Sequence, residues 1–105
     1  MTQQQFVSRW AQETFGDAGS NIRVASRANE EMAELLRALA SDDDHPNADE
    51  EMADVLIVLY RLADRMGVDL EAAVCNKMAV NRRRVWERDA SGCVFHLRHK
   101  EAAAP

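Results

Sequence analysis

The sequence predicts an all-α fold, a bundle of four helices completed by oligomerisation, with a short extended arm at the C-terminus. Long segments are rich in Ala, Leu, Met, Glu and Arg, whereas Gly and Pro fall between these segments. Apolar residues within the segments recur at helical spacing. The length of 105 residues is typical of one domain. We expect a helical domain over 1–92 and a partly disordered arm over 93–105.

The first predicted helix runs from Gln3 to Phe15, because Thr2 and Gln5 can form a capping box and Gly16 is a natural stop. The second runs from Asn21 to Ala40. Its apolar residues form a stripe at helical spacing: Ile22, Ala25, Ala28, Met32, Leu35, Leu36 and Leu39.

The third predicted helix, from Ala48 to Met66, follows a polar loop over 41–46. Its middle, from Val55 to Tyr60, is apolar on every side, so the helix must be covered all round. In so short a chain a second subunit is the expected cover. The sequence therefore predicts a homo-oligomer, a dimer or a tetramer, with this helix at its centre.

The fourth predicted helix runs from Leu70 to Arg88, with Asp69 as its N-cap. Beyond it, the segment from Cys93 to Leu97 is predicted to be a short strand or an extended arm. The residues from Glu101 to Pro105 are expected to be disordered.

The composition excludes several classes of function. A net charge of −5 and a pI near 5.1 argue against a protein that binds nucleic-acid polymers, which needs a basic face. The N-terminal residues show no secretory leader, and the longest apolar run, Val55 to Tyr60, is too short to span a bilayer. We therefore expect a cytoplasmic protein without a membrane partner.

Two acidic motifs lie in the second and third predicted helices, EEMAE over 30–34 and EEMAD over 50–54. Residues at i and i+3 share a helix face, which pairs Glu31 with Glu34 and Glu51 with Asp54. If the helices pack together, four carboxylates converge and require cations to stay ionised. A solvated helix surface is the alternative for either pair alone.

The ligand types favour Mg²⁺, with Mn²⁺ as a possible substitute, because all four side chains are oxygen donors. Mg²⁺ often completes its coordination shell with substrate phosphates. Lys77, Asn81 and Arg84 recur at i, i+4 and i+7 of the fourth predicted helix, where they could contact phosphate oxygens. An alternative for some of the arginines here is a structural role near the negative end of the helix dipole.

From Phe6 to Trp86 the chain resembles the MazG-type nucleotide pyrophosphohydrolases of the all-α nucleoside triphosphate pyrophosphatase superfamily. The residues that carry the resemblance are Glu30, Glu31, Glu34, Glu51, Asp54, Lys77, Asn81, Arg82 and Arg84. The resemblance implies an enzyme that cleaves a nucleoside triphosphate between the α and β phosphates, giving the monophosphate and pyrophosphate. By the same resemblance, the metal ligands are Glu31, Glu34, Glu51 and Asp54, and the phosphate contacts are Lys77, Asn81 and Arg84.

Two roles within the site stay open at this level. Glu30 and Glu34 are both candidates for the catalytic group that accepts a proton from the attacking water. Phe6, Trp10 and Phe15 could form a wall against a nucleobase, with Phe6 and Trp10 as the possible base pocket, although core packing is an alternative for all three.

The resemblance points to a role in nucleotide-pool control or in the removal of damaged nucleotides. A rival within the enzymes is phosphoribosyl-ATP pyrophosphohydrolase, which shares the architecture and the chemistry. A rival of another class is a helical module that binds nucleotide or metal, for regulation or oligomerisation, without turnover.

Overall fold

The computed structural model describes residues 1–41, 47–88 and 94–101. Within them the all-α prediction is confirmed by four helices, which a two-stranded sheet follows. In chain order the elements are α1 (Gln3–Phe15), α2 (Asn21–Ala40), α3 (Ala48–Arg65), α4 (Leu70–Arg83), β1 (Arg84–Arg88) and β2 (Val94–Glu101). The chain divides into two compact units, Met1–Leu70 and Glu71–Pro105. No helix in the described part is long and apolar enough to cross a membrane.

Helix α1 has the boundaries that the sequence predicts. The backbone N–H of Gln5 donates to Thr2 Oγ1 at 3.1 Å, and the backbone N–H of Thr2 donates to Gln5 Oε1 at 2.9 Å. The predicted capping box is therefore formed. At the other end Gly16 adopts φ +74°, a left-handed conformation that other residues rarely take. The predicted stop at Gly16 is confirmed.

Helix α2 also has its predicted boundaries, and α3 ends one residue earlier than expected. Ser20 caps α2, since its Oγ accepts a hydrogen bond from the backbone N–H of Arg23 at 3.2 Å. Helix α3 begins with three acidic residues, which suit the positive end of its dipole. These are Asp49, Glu50 and Glu51.

Helix α3 packs against both α1 and α2. Polar contacts fasten α1 to the end of α3 and to the segment that follows it. Ser8 Oγ donates to Asp64 Oδ2 at 2.7 Å. Gln4 Nε2 donates to the Val68 carbonyl at 2.7 Å, and Gln4 Oε1 accepts from the Leu70 backbone N–H at 2.9 Å. These contacts place the N-terminal helix beside α3.

The buried core of the described residues consists of three small side chains, Ala11, Val24 and Ala63. Many larger apolar side chains stay exposed. On α2 and α3 these include Met32, Leu36, Leu39, Met52, Leu56 and Leu59. The described residues therefore do not supply the expected cover of α3 on all sides, and the homo-oligomer stays a prediction.

In the second unit, the prediction that α4 extends to Arg88 is wrong. The helix ends at Arg83, and Arg84–Arg88 forms β1, which pairs antiparallel with β2. Strand pairing supplies backbone hydrogen bonds to a segment that contains β-branched and aromatic residues. The indole Nε1 of Trp86 donates to the carbonyl of Asn81 at 2.9 Å, which satisfies one acceptor near the end of the helix.

The segment from Cys93 to Leu97 was predicted to be a short strand or an extended arm. The structure has a strand here, β2, which begins at Val94. Glu101, predicted to be disordered, is instead the last residue of β2. The disorder predicted for 102–105 lies outside the described residues, as does most of the polar loop predicted over 41–46.

Candidate metal centre

Four carboxylates meet where α2 packs against α3. Glu31 and Glu34 lie on α2, and Glu51 and Asp54 lie on α3. One carboxylate oxygen from each residue lies within 4.8 Å of the others. Glu31 and Glu51 are half-buried, whereas Glu34 and Asp54 are exposed. The structure thus brings together the four residues that the sequence predicts as metal ligands; we call them the carboxylate cluster.

The cluster is electrostatically strained in the absence of cations. Burial raises the pKa of Glu31 above its ordinary value, and Glu34 and Asp54 raise it further, while Arg27 opposes the shift. Burial, followed by Glu34 and Asp54, likewise raises the pKa of Glu51. These carboxyl groups therefore retain protons to a higher pH than usual unless positive charge is supplied.

The donor set fits a divalent cation of the Mg²⁺ or Mn²⁺ type. It consists of carboxylate oxygens, the ligands that such hard cations prefer. Glu51 Oε2 is buried and has no hydrogen-bond partner among the described residues. A buried carboxylate oxygen without a partner is costly, and coordination of a cation would satisfy it.

Arg27 connects the cluster to Glu30, the other candidate for the catalytic group. One terminal nitrogen of Arg27 donates to Glu31 Oε1 at 3.0 Å, and the other forms a short contact with Glu30 Oε2. Glu30 is exposed and lies outside the cluster, whereas Glu34 belongs to it. The choice between Glu30 and Glu34 as proton acceptor stays a prediction.

A cavity of about 530 Å³ adjoins the cluster. Glu31 and Asp54 belong both to the cluster and to the wall of the cavity. The other lining residues are mostly apolar and come from α1, α2 and α3: Trp10, Ala11, Phe15, Val24, Arg27, Ile57, Val58 and Arg61. The cavity thus combines an apolar wall with a carboxylate end, an arrangement that suits an amphipathic ligand.

The α1 side of the cavity is an aromatic wall formed by Trp10 and Phe15. Their rings are edge to face, with centroids 5.3 Å apart and planes at 84°. The guanidinium of Arg61 lies 5.7 Å from the centroid of the Phe15 ring and donates to the carbonyl of Gly16 at 2.9 Å. Phe6, predicted with Trp10 as a possible base pocket, is exposed and does not line this cavity.

The cavity wall includes two arginines that the sequence interpretation did not include among the site residues. Arg27 lies four residues before Glu31, a spacing that pairs side chains on one helix face. Its contact with Glu31 could therefore have been predicted from the sequence. Arg61 lies 45 residues from Gly16, to which it donates, and no local pattern signals that contact.

The three residues predicted to bind phosphate belong to the second unit. Lys77 and Asn81 lie one turn apart on α4, as expected, but Arg84 is the first residue of β1. The prediction that all three share one helix face is therefore wrong for Arg84, because strand pairing replaces the last helical turn. Their contact with phosphate stays a prediction.

Comparison with known proteins gives the cluster a family context. A family model for the MazG-like family matches residues 28–93. A dATP/dGTP diphosphohydrolase of Salmonella phage PMBT28 is 38% identical over 94 residues, which are 90% of this chain and 30% of that protein. A dATP/dGTP diphosphohydrolase of cyanophage S-2L is 43% identical over 68 residues, 65% of this chain and 60% of that one. The chain thus spans less than two thirds of the length of either relative.

A solved structure extends the similarity over nearly the whole chain. It is the cyanophage S-2L MazG-like pyrophosphohydrolase bound to dGDP and three catalytic Mn²⁺ ions per active site. It matches with a TM-score of 0.74 and 33% identity, covering 95% of this chain and 93% of that chain. With its carboxylate cluster inside the matched segment and its fold shared with that structure, the chain belongs to the MazG-like family.

Proposed function

We propose that this protein is a metal-dependent nucleotide pyrophosphohydrolase that converts a deoxynucleoside triphosphate and water into the monophosphate and pyrophosphate. The observation that carries the proposal is the carboxylate cluster at one end of an apolar cavity. The names of the two phage relatives, dATP/dGTP diphosphohydrolases, favour a purine deoxynucleotide as the substrate.

The cluster would hold Mg²⁺ or Mn²⁺ through Glu31, Glu34, Glu51 and Asp54. When bound, such cations neutralise phosphate charge and lower the pKa of a coordinated water. Mg²⁺ is the cation we propose, and Mn²⁺ is a substitute of the same ligand preference.

Side chains would accept the proton of the attacking water and stabilise the charge on the phosphates. Glu34 of the cluster, or Glu30 beside it, would accept a proton from the attacking water. The water oxygen forms a bond to the α phosphorus as the bond between that phosphorus and the bridging oxygen breaks. The leaving group is pyrophosphate, and the proposed contacts from Lys77, Asn81 and Arg84 would stabilise charge on the phosphates.

The cavity would receive the nucleoside. A planar base can stack on the Trp10 and Phe15 wall, while Glu31 and Asp54 mark the end at which the phosphates lie. Such an arrangement would fix the reacting phosphorus relative to the cluster, and positioning together with electrostatic stabilisation supplies most of the rate enhancement in phosphoryl transfer.

The protein would act as a homo-oligomer. Exposed apolar residues recur at i, i+4 and i+7 on both helices that build the cluster: Met32, Leu36 and Leu39 on α2, and Met52, Leu56 and Leu59 on α3. A second copy of the same helix pair is a self-complementary cover for this surface. Light scattering would give the mass, and Leu36→Glu would shift it towards the monomer.

A nucleotide panel tests the function. Pyrophosphate release is measured from dATP, dGTP, dCTP, dUTP and phosphoribosyl-ATP, with Mg²⁺ or Mn²⁺ and with a chelator as the control. We expect release from a purine deoxynucleotide that depends on the metal. Cleavage of phosphoribosyl-ATP alone would support the histidine-biosynthesis activity instead. Metal or nucleotide binding without any release would support a non-catalytic module.

A further inference from the structure

Arg27 occupies a position between the carboxylate cluster and the cavity. Its guanidinium pairs with Glu31 at 3.0 Å and contacts Glu30, while the same side chain lines the cavity. The Arg27 side chain is 60% exposed, whereas that of Glu31 is only 13% exposed. An exposed guanidinium, that of Arg27, is therefore paired with a largely shielded carboxylate of the cluster, that of Glu31.

The charge of the cluster explains why a cation is held there. Four acidic groups lie within 4.8 Å of one another, and their mutual repulsion is reduced by the Arg27 guanidinium. Divalent cations in the cluster would make the Arg27 guanidinium unnecessary as a counter-charge, because they supply more positive charge and contact the same Glu31 carboxylate. They would also repel the guanidinium. Arg27 and the metal ions therefore compete for Glu31.

The cavity offers the displaced guanidinium a second partner. A nucleotide whose phosphates lie at the carboxylate end would bring anionic oxygens next to the cavity wall that includes Arg27. A guanidinium binds phosphate well because its planar N–H groups donate in pairs. The Arg27 side chain is 60% exposed, so solvent and not packed protein surrounds most of it.

We propose that Arg27 is a resident counter-cation, which holds Glu31 until divalent cations enter the cluster and then donates to the phosphates of the nucleotide in the adjacent cavity. This inference rests on the proposed function. It assigns to Arg27 opposite effects on the two ligands: Arg27 weakens metal binding and strengthens nucleotide binding. A residue that merely orients Glu31 would strengthen the binding of both.

The test compares Arg27→Gln with the wild-type protein by calorimetric titration. The matched control is Arg23→Gln, which removes the same charge from α2 one turn earlier, at a residue that does not line the cavity. Without nucleotide, we expect Arg27→Gln to bind Mn²⁺ about fivefold more tightly, the scale of one partly exposed ion pair. Arg23→Gln should change this affinity little.

The second titration uses the α,β-methylene analogue of dGTP at saturating Mn²⁺, since that analogue lacks the bond to be cleaved. We expect Arg27→Gln to bind it about tenfold more weakly, as for the loss of a charge-assisted hydrogen bond. Arg27→Lys keeps the charge without the paired donors, so its affinities should lie between those of wild type and Arg27→Gln. Circular dichroism checks that each variant is folded.

The signs of the two changes decide the outcome. Weaker binding of both ligands by Arg27→Gln would mean that Arg27 only positions Glu31, and it would overturn the proposal. Unchanged affinity for either ligand would overturn it as well. Absence of Mn²⁺ binding by the wild-type protein would overturn the proposed metal site itself, which distinguishes that failure from the failure of the Arg27 inference.

Discussion

The carboxylate cluster and the cavity that adjoins it depend on different kinds of contact. Each half of the cluster is a pair of side chains three residues apart on one helix, and a single helix–helix packing joins the halves. The aromatic wall of the cavity instead depends on Arg61 of α3, which reaches the far end of α1 at Gly16 and Phe15. The paired carboxylates of the cluster are therefore close together in the sequence, whereas the shape of the cavity depends on contacts between residues that are far apart in the sequence.

This difference separates the expected effects of mutations in the two regions. The cluster would act on the reacting phosphates, so damage there should lower kcat. The wall would act on the nucleoside, which is bound similarly before and during the reaction, so damage there should raise KM. Mutations in the two regions should therefore change different kinetic constants.

The largest expected effect comes from the cluster. Glu51→Gln removes the charge of a carboxylate that has a buried oxygen without a partner, and it should lower kcat by about a thousandfold. Glu50→Gln is the matched control, since it makes the same change one residue away and outside the cluster. Pyrophosphate release measures both. Equal activity of the two variants would contradict the assignment of the cluster as the catalytic centre.

A smaller effect is expected at the aromatic wall. Trp10→Ala should raise KM about tenfold with little change in kcat, because loss of an aromatic stacking partner costs about 1 to 3 kcal/mol per base. Phe6→Ala is the control, as an aromatic residue of the same helix that is exposed and lies outside the cavity. Steady-state kinetics with dATP and dGTP would give both constants. A larger KM for Phe6→Ala than for Trp10→Ala would favour a base pocket one turn nearer the start of α1.

The sequence predicted the cluster and the first three helices because their signals are local. The capping box of Thr2, the stop at Gly16 and the two acidic pairs all operate within one or two helical turns. The end of α4 could not be predicted in the same way. Arg82, Arg83 and Arg84 suit the end of a helix, yet pairing with β2 converts the third of them into a strand residue. The contact of Arg61 with Gly16 is equally invisible, because no periodic pattern joins residues 45 positions apart.

Arg61 offers a way to test whether the wall depends on its distant support. Arg61→Gln removes the hydrogen bond to Gly16 and the cation contact with Phe15, so it should raise KM about threefold and reduce stability by about 1 kcal/mol. Arg65→Gln is the control, since it removes contacts with Asp17 and Asn21 one turn later without touching the cavity. It should lower the melting temperature without raising KM. The same KM for both variants would show that the cavity does not need Arg61.

The smallest expected effect is a pH dependence of the stability of the metal-free protein, which should decrease as the pH rises. The pKa values of Glu31 and Glu51 are raised in the folded state, so the folded protein binds more protons than the unfolded chain between the ordinary and the raised values. Their contribution to stability is fully present below the ordinary pKa and is lost as the pH rises through the raised pKa. Glu51→Gln, which resembles the protonated carboxyl, should lose less stability over that range than wild type.

Added Mn²⁺ should reverse the order of stability that the two proteins show in a chelator at pH 7. Without metal, Glu51→Gln should melt above wild type, because it lacks one of the mutually repelling charges. With Mn²⁺, wild type should melt higher, because the cation binds the intact cluster and stabilises only the folded state. Melting curves from pH 4 to pH 8 would measure both conditions. A wild-type protein that is the more stable in chelator at pH 7 would contradict the repulsion that the raised pKa values of Glu31 and Glu51 indicate.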